Sequence, residues 1–244
     1  LFPKNPTLTA YRAVAKNVGM LIGYRNTIFY TVIGTTINLV MTIAVAYPLS
    51  KRDFRGRRLL TILFTITMFF TGGMVPNFLL IKNVGLYNSM WALLLPGAVN
   101  AWNLVIMRTF FQSSIPEEIC ESAYIDGCSN IGTLLRIVLP LAMPIIAVMI
   151  IFYGVEHWNS YFNALLYLRE RSKYPLSLVL REILLQGMGQ EKAGAEIVDT
   201  VSDLLLYETL KYAVIIVSSI PMLILYPFLQ RYFVKGVMVG SLKG

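Results

Sequence analysis

Ser114–Pro140 reads SIPEEICESAYIDGCSNIGTLLRIVLP, a polar, helix-forming island between long apolar segments. Ser114 followed three residues later by Glu117 has the spacing of a capping box, with Pro116 in the first turn, so the sequence predicts a short helix from here to about Ile125. Asp126-Gly127 breaks it, with a positive φ expected at Gly127 and the Asp126 carboxylate free to meet the amides of the next helix start. Ser129 or Asn130 is placed to cap a second short helix that carries Leu134, Leu135 and Ile137 toward Pro140. The pair predicts a helix–turn–helix lying beside a membrane.

Outward from the island the chain is apolar. With 244 residues, 56% hydrophobic and 14% charged, and a mean hydropathy of +0.63, it departs from soluble domains, which carry about 25% charged residues. The expected fold is an all-α, polytopic transmembrane protein. The formal charge of +8 does not point to nucleic acid, because Lys and Arg gather at the ends of apolar runs, where the positive-inside rule accounts for them. Cys120 and Cys128 are the only cysteines; both lie in the island, and neither a disulfide nor a metal site is expected. The sequence starts at Leu1 with no signal peptide in view, and a further span upstream is expected.

Residues 1–26 read as an extracytoplasmic segment with an amphipathic helix over Thr9–Val18. Thr27–Leu49 is the first span, long enough for a ~30 Å hydrocarbon core. Lys51, Arg52, Arg55, Arg57 and Arg58 form the densest positive cluster, which puts this side in the cytoplasm. The second span, Leu59–Ile81, is interrupted by Gly72, Gly73, Pro76 and Asn77. Such a break is tolerated where backbone is buried in protein or faces water, so it reads either as part of a translocation path or as an early helix end. Tyr87–Met107 is the third span, with Pro96-Gly97 inside it, and Ile137–Gly154 is the fourth. Residues 157–211 form an extracytoplasmic loop with two amphipathic pieces, Leu176–Leu184 and Ile197–Leu205, around a flexible tip at Gly187, Gly189 and Gly194. Tyr212–Leu229 is the last span, and 231–244 is a cytoplasmic tail. The membrane domain is expected over 27–230, with its cytoplasmic loop at 113–140.

His157, the sole histidine, has no nucleophile or carboxylate in a catalytic pattern, so no catalytic residue is expected. Glu156 reads as a solvated boundary residue or, alternatively, as an intramembrane ion site. Asn38, Asn77, Asn100, Trp102, Asn103, Trp158, Asn159 and Tyr161 offer amides for sugar hydroxyls and aromatic faces for sugar rings. The same residue types also serve helix contacts and membrane interfaces. Asn77, Asn100, Trp102, Asn103 and Trp158 are the substrate-path candidates. No GxxxxGK loop occurs, so ATP is not bound by that motif and energy comes from a partner.

The island resembles the EAA loop of bacterial ABC importer permeases. Glu121, Ala123, Asp126, Gly127, Ile137, Leu139 and Pro140 match its pattern, while Ser122, Cys128 and Leu134 depart from it. The order of spans and the ending LYPFLQRYFVKGVMVGSLKG are similar to the carbohydrate-uptake, maltose-permease-G-like branch. The resemblance implies a type I importer permease fold with five spans in this chain and a sixth upstream. It implies that the seven matching residues couple the chain to an ATPase subunit. It further implies a multi-pass location in the bacterial cell membrane. The implied partners are a second homologous permease, two ATP-binding subunits that hold ATP and Mg, an extracytoplasmic solute-binding protein and a sugar, expected to be an oligosaccharide. The alternatives are a permease for another small polar solute and an ion-coupled secondary transporter.

Overall fold

The computed structural model describes residues 9–192, 209, 212–221, 223 and 224. Asn17 separates α1 (Thr9–Lys16) from α2 (Val18–Ser50), and its side chain accepts from the Met20 amide at 3.1 Å. That cap starts α2 well ahead of the expected Thr27, so residues 18–26, expected in a loop, are helical and continuous with the helix of the first span. The 33 residues make about 50 Å of helix, more than the ~30 Å core requires. Along its inner face run Gly23, Thr27, Gly34, Asn38, Thr42 and Ala46, all buried. Small and hydroxyl-bearing side chains at this spacing let neighbouring helices approach closely, while Val18, Leu21, Phe29, Val32 and Val40 stay outside.

α3 (Arg57–Phe69) and α4 (Met74–Asn83) are bent by 115°. The second expected span is therefore a helix followed by a sharp turn rather than one rod. The third is also discontinuous: α5 (Trp91–Leu94) is a single turn, and α6 (Ala101–Ser114) begins after an irregular stretch. Asn100 caps α6, accepting from the amides of Trp102 at 3.0 Å and Asn103 at 3.2 Å.

α7 (Glu117–Ile125) and α8 (Asn130–Thr133) form the island. The Ser114–Glu117 capping box does not form, because α6 continues through Ser114 and Pro116 takes the cap position without a side-chain bond. A wider π turn, Leu134–Val138, leads into α9 (Leu139–Leu141), which is bent by 82° from α10 (Met143–Trp158). Pro140 and Pro144 lack the amides that would continue the ladder, so the helix expected from Ile137 is bent here rather than straight.

α11 (Phe162–Tyr167), a 3₁₀ turn at Arg171–Lys173 and α12 (Leu176–Lys192) follow. α12 continues through Gly187 and Gly189, a helical path that costs about 1 kcal/mol per glycine relative to alanine. The second amphipathic piece, Gly194 and the tail lie outside the described residues. α13 covers Tyr212–Pro221. Among the described residues one helix, α2, is long and apolar enough to cross a membrane alone, and up to three crossings result if each bent pair is one span.

α2 is the axis on which the rest is assembled. At the end near Lys51, the Arg108 Nε donates to the Leu49 carbonyl at 3.0 Å and the Gln112 amide to Ser50 O at 3.2 Å. Both reach free carbonyls of the α2 C-terminus. At the other end the Leu176 amide donates to Thr27 Oγ1 at 2.7 Å, and Tyr30 OH donates to Lys173 O at 2.9 Å. Asn88, at φ 57°, ties a second loop here. Its Nδ2 donates to Glu170 Oε1 at 2.6 Å, and its Oδ1 accepts from the Arg169 and Glu170 amides. The Lys173 ammonium, with the Asn88 amide, holds the Glu170 carboxyl below the usual carboxylate range.

Candidate functional site

The island is built around one turn. Gly127 sits at φ 76°, its amide donates to Tyr124 O at 3.0 Å, and the Cys128 amide donates to Ala123 O at 2.8 Å. These two bonds make a Schellman motif, which needs a residue able to adopt the left-handed region at that position. Ser129 then caps α8 by accepting from the Gly132 amide at 3.2 Å, and the Tyr124 hydroxyl donates to Asn130 Oδ1. The Asp126 side chain caps nothing among the described residues; Ser129 has that role.

The turn gives the island two faces. Cys120 and Val138 are buried in one cluster with Ala46, Tyr47, Leu49 and Phe111, and Ala123 and Thr133 are buried as well. Outward stand Ile125 at 87% exposure and Ile131 at 70%, together with Tyr124 and Leu135. Of the seven predicted coupling residues, Glu121, Asp126, Gly127 and Pro140 are exposed, Ile137 and Leu139 are half-buried and Ala123 is buried. Cys120 and Val138 therefore fasten the island to the bundle, and Glu121 and Asp126 give it a negative outer edge. Ile131 was missed by the sequence reading, although an isoleucine just after a capping serine is a visible signal. Exposed isoleucines beside carboxylates suit a protein groove with an apolar floor and a basic rim. The Arg52–Glu117 ion pair, 3.5 Å, joins the island to the basic segment, and its exposure makes it worth little.

The substrate-path candidates do not converge. Asn77 is exposed on α4, and Trp102 is 59% exposed on α6. Asn100 spends its carbonyl oxygen on the α6 cap, and Asn103 is buried at 4% exposure. Trp158 borders a cavity of about 1330 Å³ between α2, α10, α12 and α13. Thr31, Thr35, Thr36, Asn159, Ser177, Ser218 and Ser219 are among its polar lining residues, beside a larger number of apolar side chains. Thr31 and Thr35, one turn apart on α2, carried a readable signal as hydroxyls within an apolar run. Glu156 is exposed, whereas the His157 ring is turned inward: its Nε2 lies 2.6 Å from Asn38 Oδ1. No group of three or more His, Cys, Asp or Glu is placed to hold a metal among the described residues.

Known proteins share both the sequence and the shape of this chain. Residues 17–239 match the profile of the family described as "Binding-protein-dependent transport system inner membrane component". Protein LplC of Bacillus subtilis (strain 168) is 44% identical over 100% of this chain and 81% of its own length. The polygalacturonan/rhamnogalacturonan transport system permease protein YtcP of the same organism is 43% identical, covering 100% of this chain and 84% of its own. A crystal structure of a bacterial ABC transporter involved in the import of the acidic polysaccharide alginate has a chain that aligns with a TM-score of 0.86 and 34% identity. The alignment covers 96% of this chain and 82% of that one.

Proposed function

The chain belongs to the family of binding-protein-dependent transport system inner membrane components, and from that premise we propose that it translocates an oligosaccharide cut from an acidic polysaccharide. It is a membrane-embedded permease of the ABC transporter class. The observation that carries the cargo reading is the full-length similarity to YtcP, a permease for polygalacturonan and rhamnogalacturonan. The alginate importer's similarity supports the same class. In this reading the chain pairs with a second, homologous permease and two ATP-hydrolysing subunits, and an extracytoplasmic binding protein delivers the sugar.

The island at 113–140 is the coupling element. Ile125, Ile131 and Leu135 seat in the ATPase subunit, with Glu121 meeting a basic group at the rim. Cys120 and Val138 hold the island to the α2 and α6 ends, so that movement of the docked loop becomes movement of the helices as a rigid body. The chain supplies no catalytic residue; ATP and Mg are held by the partner.

Thermal unfolding of the cognate binding protein tests the cargo. A ligand present at 100 times its Kd stabilises by about 2.7 kcal/mol. Oligogalacturonates or alginate oligomers are expected to raise the melting temperature. Stabilisation by an amino acid or another non-carbohydrate solute, with none by oligosaccharides, would overturn the cargo reading.

A further inference from the structure

We propose that Asn38 and His157 are positioning residues that latch the break in the third apolar segment, residues 95–100, against α2, and so hold a wall of the transport pathway. Asn38 is 2% exposed and, counted along α2, lies about 20 Å from Lys51, within a hydrocarbon core of ~30 Å. A polar side chain at that depth has to be paired. Its Nδ2 donates to the Gly97 carbonyl at 2.6 Å. The reversed amide would set Oδ1 against that carbonyl, so Oδ1 must face His157, and the His157 Nε2, 2.6 Å away, is the donor. The imidazole therefore carries its proton on Nε2.

This chain of bonds joins three segments that are distant in sequence: α2, the end of α10 and the loop between α5 and α6. It depends on a close approach at Gly34, where a Cβ would stand 2.4 Å from His157 Nε2. The latched segment presents Leu95, Pro96 and Gly97 on the surface of the subunit. Irregular backbone at membrane depth is tolerated where it faces protein or a water-filled path. In the proposed assembly of two permeases, an exposed break of this kind faces the second subunit or the water-filled route between them. The Asn38 bond to Gly97 fixes the break from behind, and His157 fixes Asn38. This role rests on the permease reading for its transport readout but not for its accessibility readout.

Gly97 has open space where a Cβ would be and no positive φ, so Gly97→Cys serves as a reporter. The assembled transporter in membrane vesicles is treated with a membrane-impermeant maleimide, and modification at position 97 is followed by mass spectrometry. Loss of a buried bond is expected to raise the labelling rate and lower ATP-dependent uptake by about tenfold in His157→Leu and Asn38→Leu. His157→Gln, whose amide reaches the place of Nε2, stays within about twofold of the parent on the same scale. If the leucine variants do not reach the membrane, Gly34→Ala displaces the ring while keeping both polar groups, and the same two changes are expected. Unchanged labelling in the leucine variants or in Gly34→Ala overturns the latch, as does a His157→Gln variant that behaves like His157→Leu. Failure of the parent itself to show ATP-dependent uptake would instead count against the permease reading.

Discussion

At residue scale, the island separates positions that fold it from exposed positions that are proposed to meet the ATPase subunit. Gly127→Pro cannot hold the φ of 76° and removes the amide that donates to Tyr124, so uptake is lost and association with the ATPase subunit weakens in pull-down. Glu121→Lys leaves the turn intact and reverses an exposed charge: uptake is lost, the chain remains membrane-inserted, and normal uptake with normal ATPase binding would remove the proposed ionic contact. The turn was legible because Asp-Gly followed by a serine cap is a local signal, written within a few neighbours. The capping box was misread because whether Ser114 ends one helix or starts the next depends on how far α6 runs. The roles of Asn38 and His157 were not legible at all. They are 119 residues apart, and nothing in either neighbourhood names the other.

At element scale, α2 gathers the bundle by small and polar side chains rather than by an apolar stripe. Thr27 illustrates this: its hydroxyl is the acceptor for the first amide of α12, in a site with almost no solvent. Thr27→Val should destabilise the assembled transporter by about 1–3 kcal/mol, because the Leu176 amide is left buried without a partner. A detergent-solubilised thermal unfolding series, with Thr27→Ser as the control that retains the bond, checks it. Apolar runs gave the positions of the membrane segments but not their continuity. The bends near Gly72-Gly73 and Pro140–Pro144 were marked by residues that interrupt helices, yet their angles of 115° and 82° depend on packing. The start of α2 was hidden for a related reason: its early turns carry the polar Tyr24, Arg25 and Asn26, and the Asn26 amide donates to the Ser172 and Tyr174 carbonyls of a distant loop.

At the scale of the whole molecule, α2 places the basic segment and the island at one end and the Asn88–Lys173 loops at the other. Cysteines introduced as Arg55→Cys and Gly187→Cys should be modified from opposite sides of sealed cells; modification of both from outside would reject this topology. Deleting 187–194 should lower the binding protein's stimulation of ATPase activity while leaving the complex assembled, with unchanged stimulation showing that the segment takes no part in docking. Most direct is uptake of labelled oligogalacturonate into proteoliposomes, comparing this chain alone with the chain joined to its second permease, ATPase subunits and binding protein. Uptake is predicted only in the complete assembly and only with ATP. Uptake by the chain alone under an ion gradient, without ATP or binding protein, would contradict its role as an ABC importer permease.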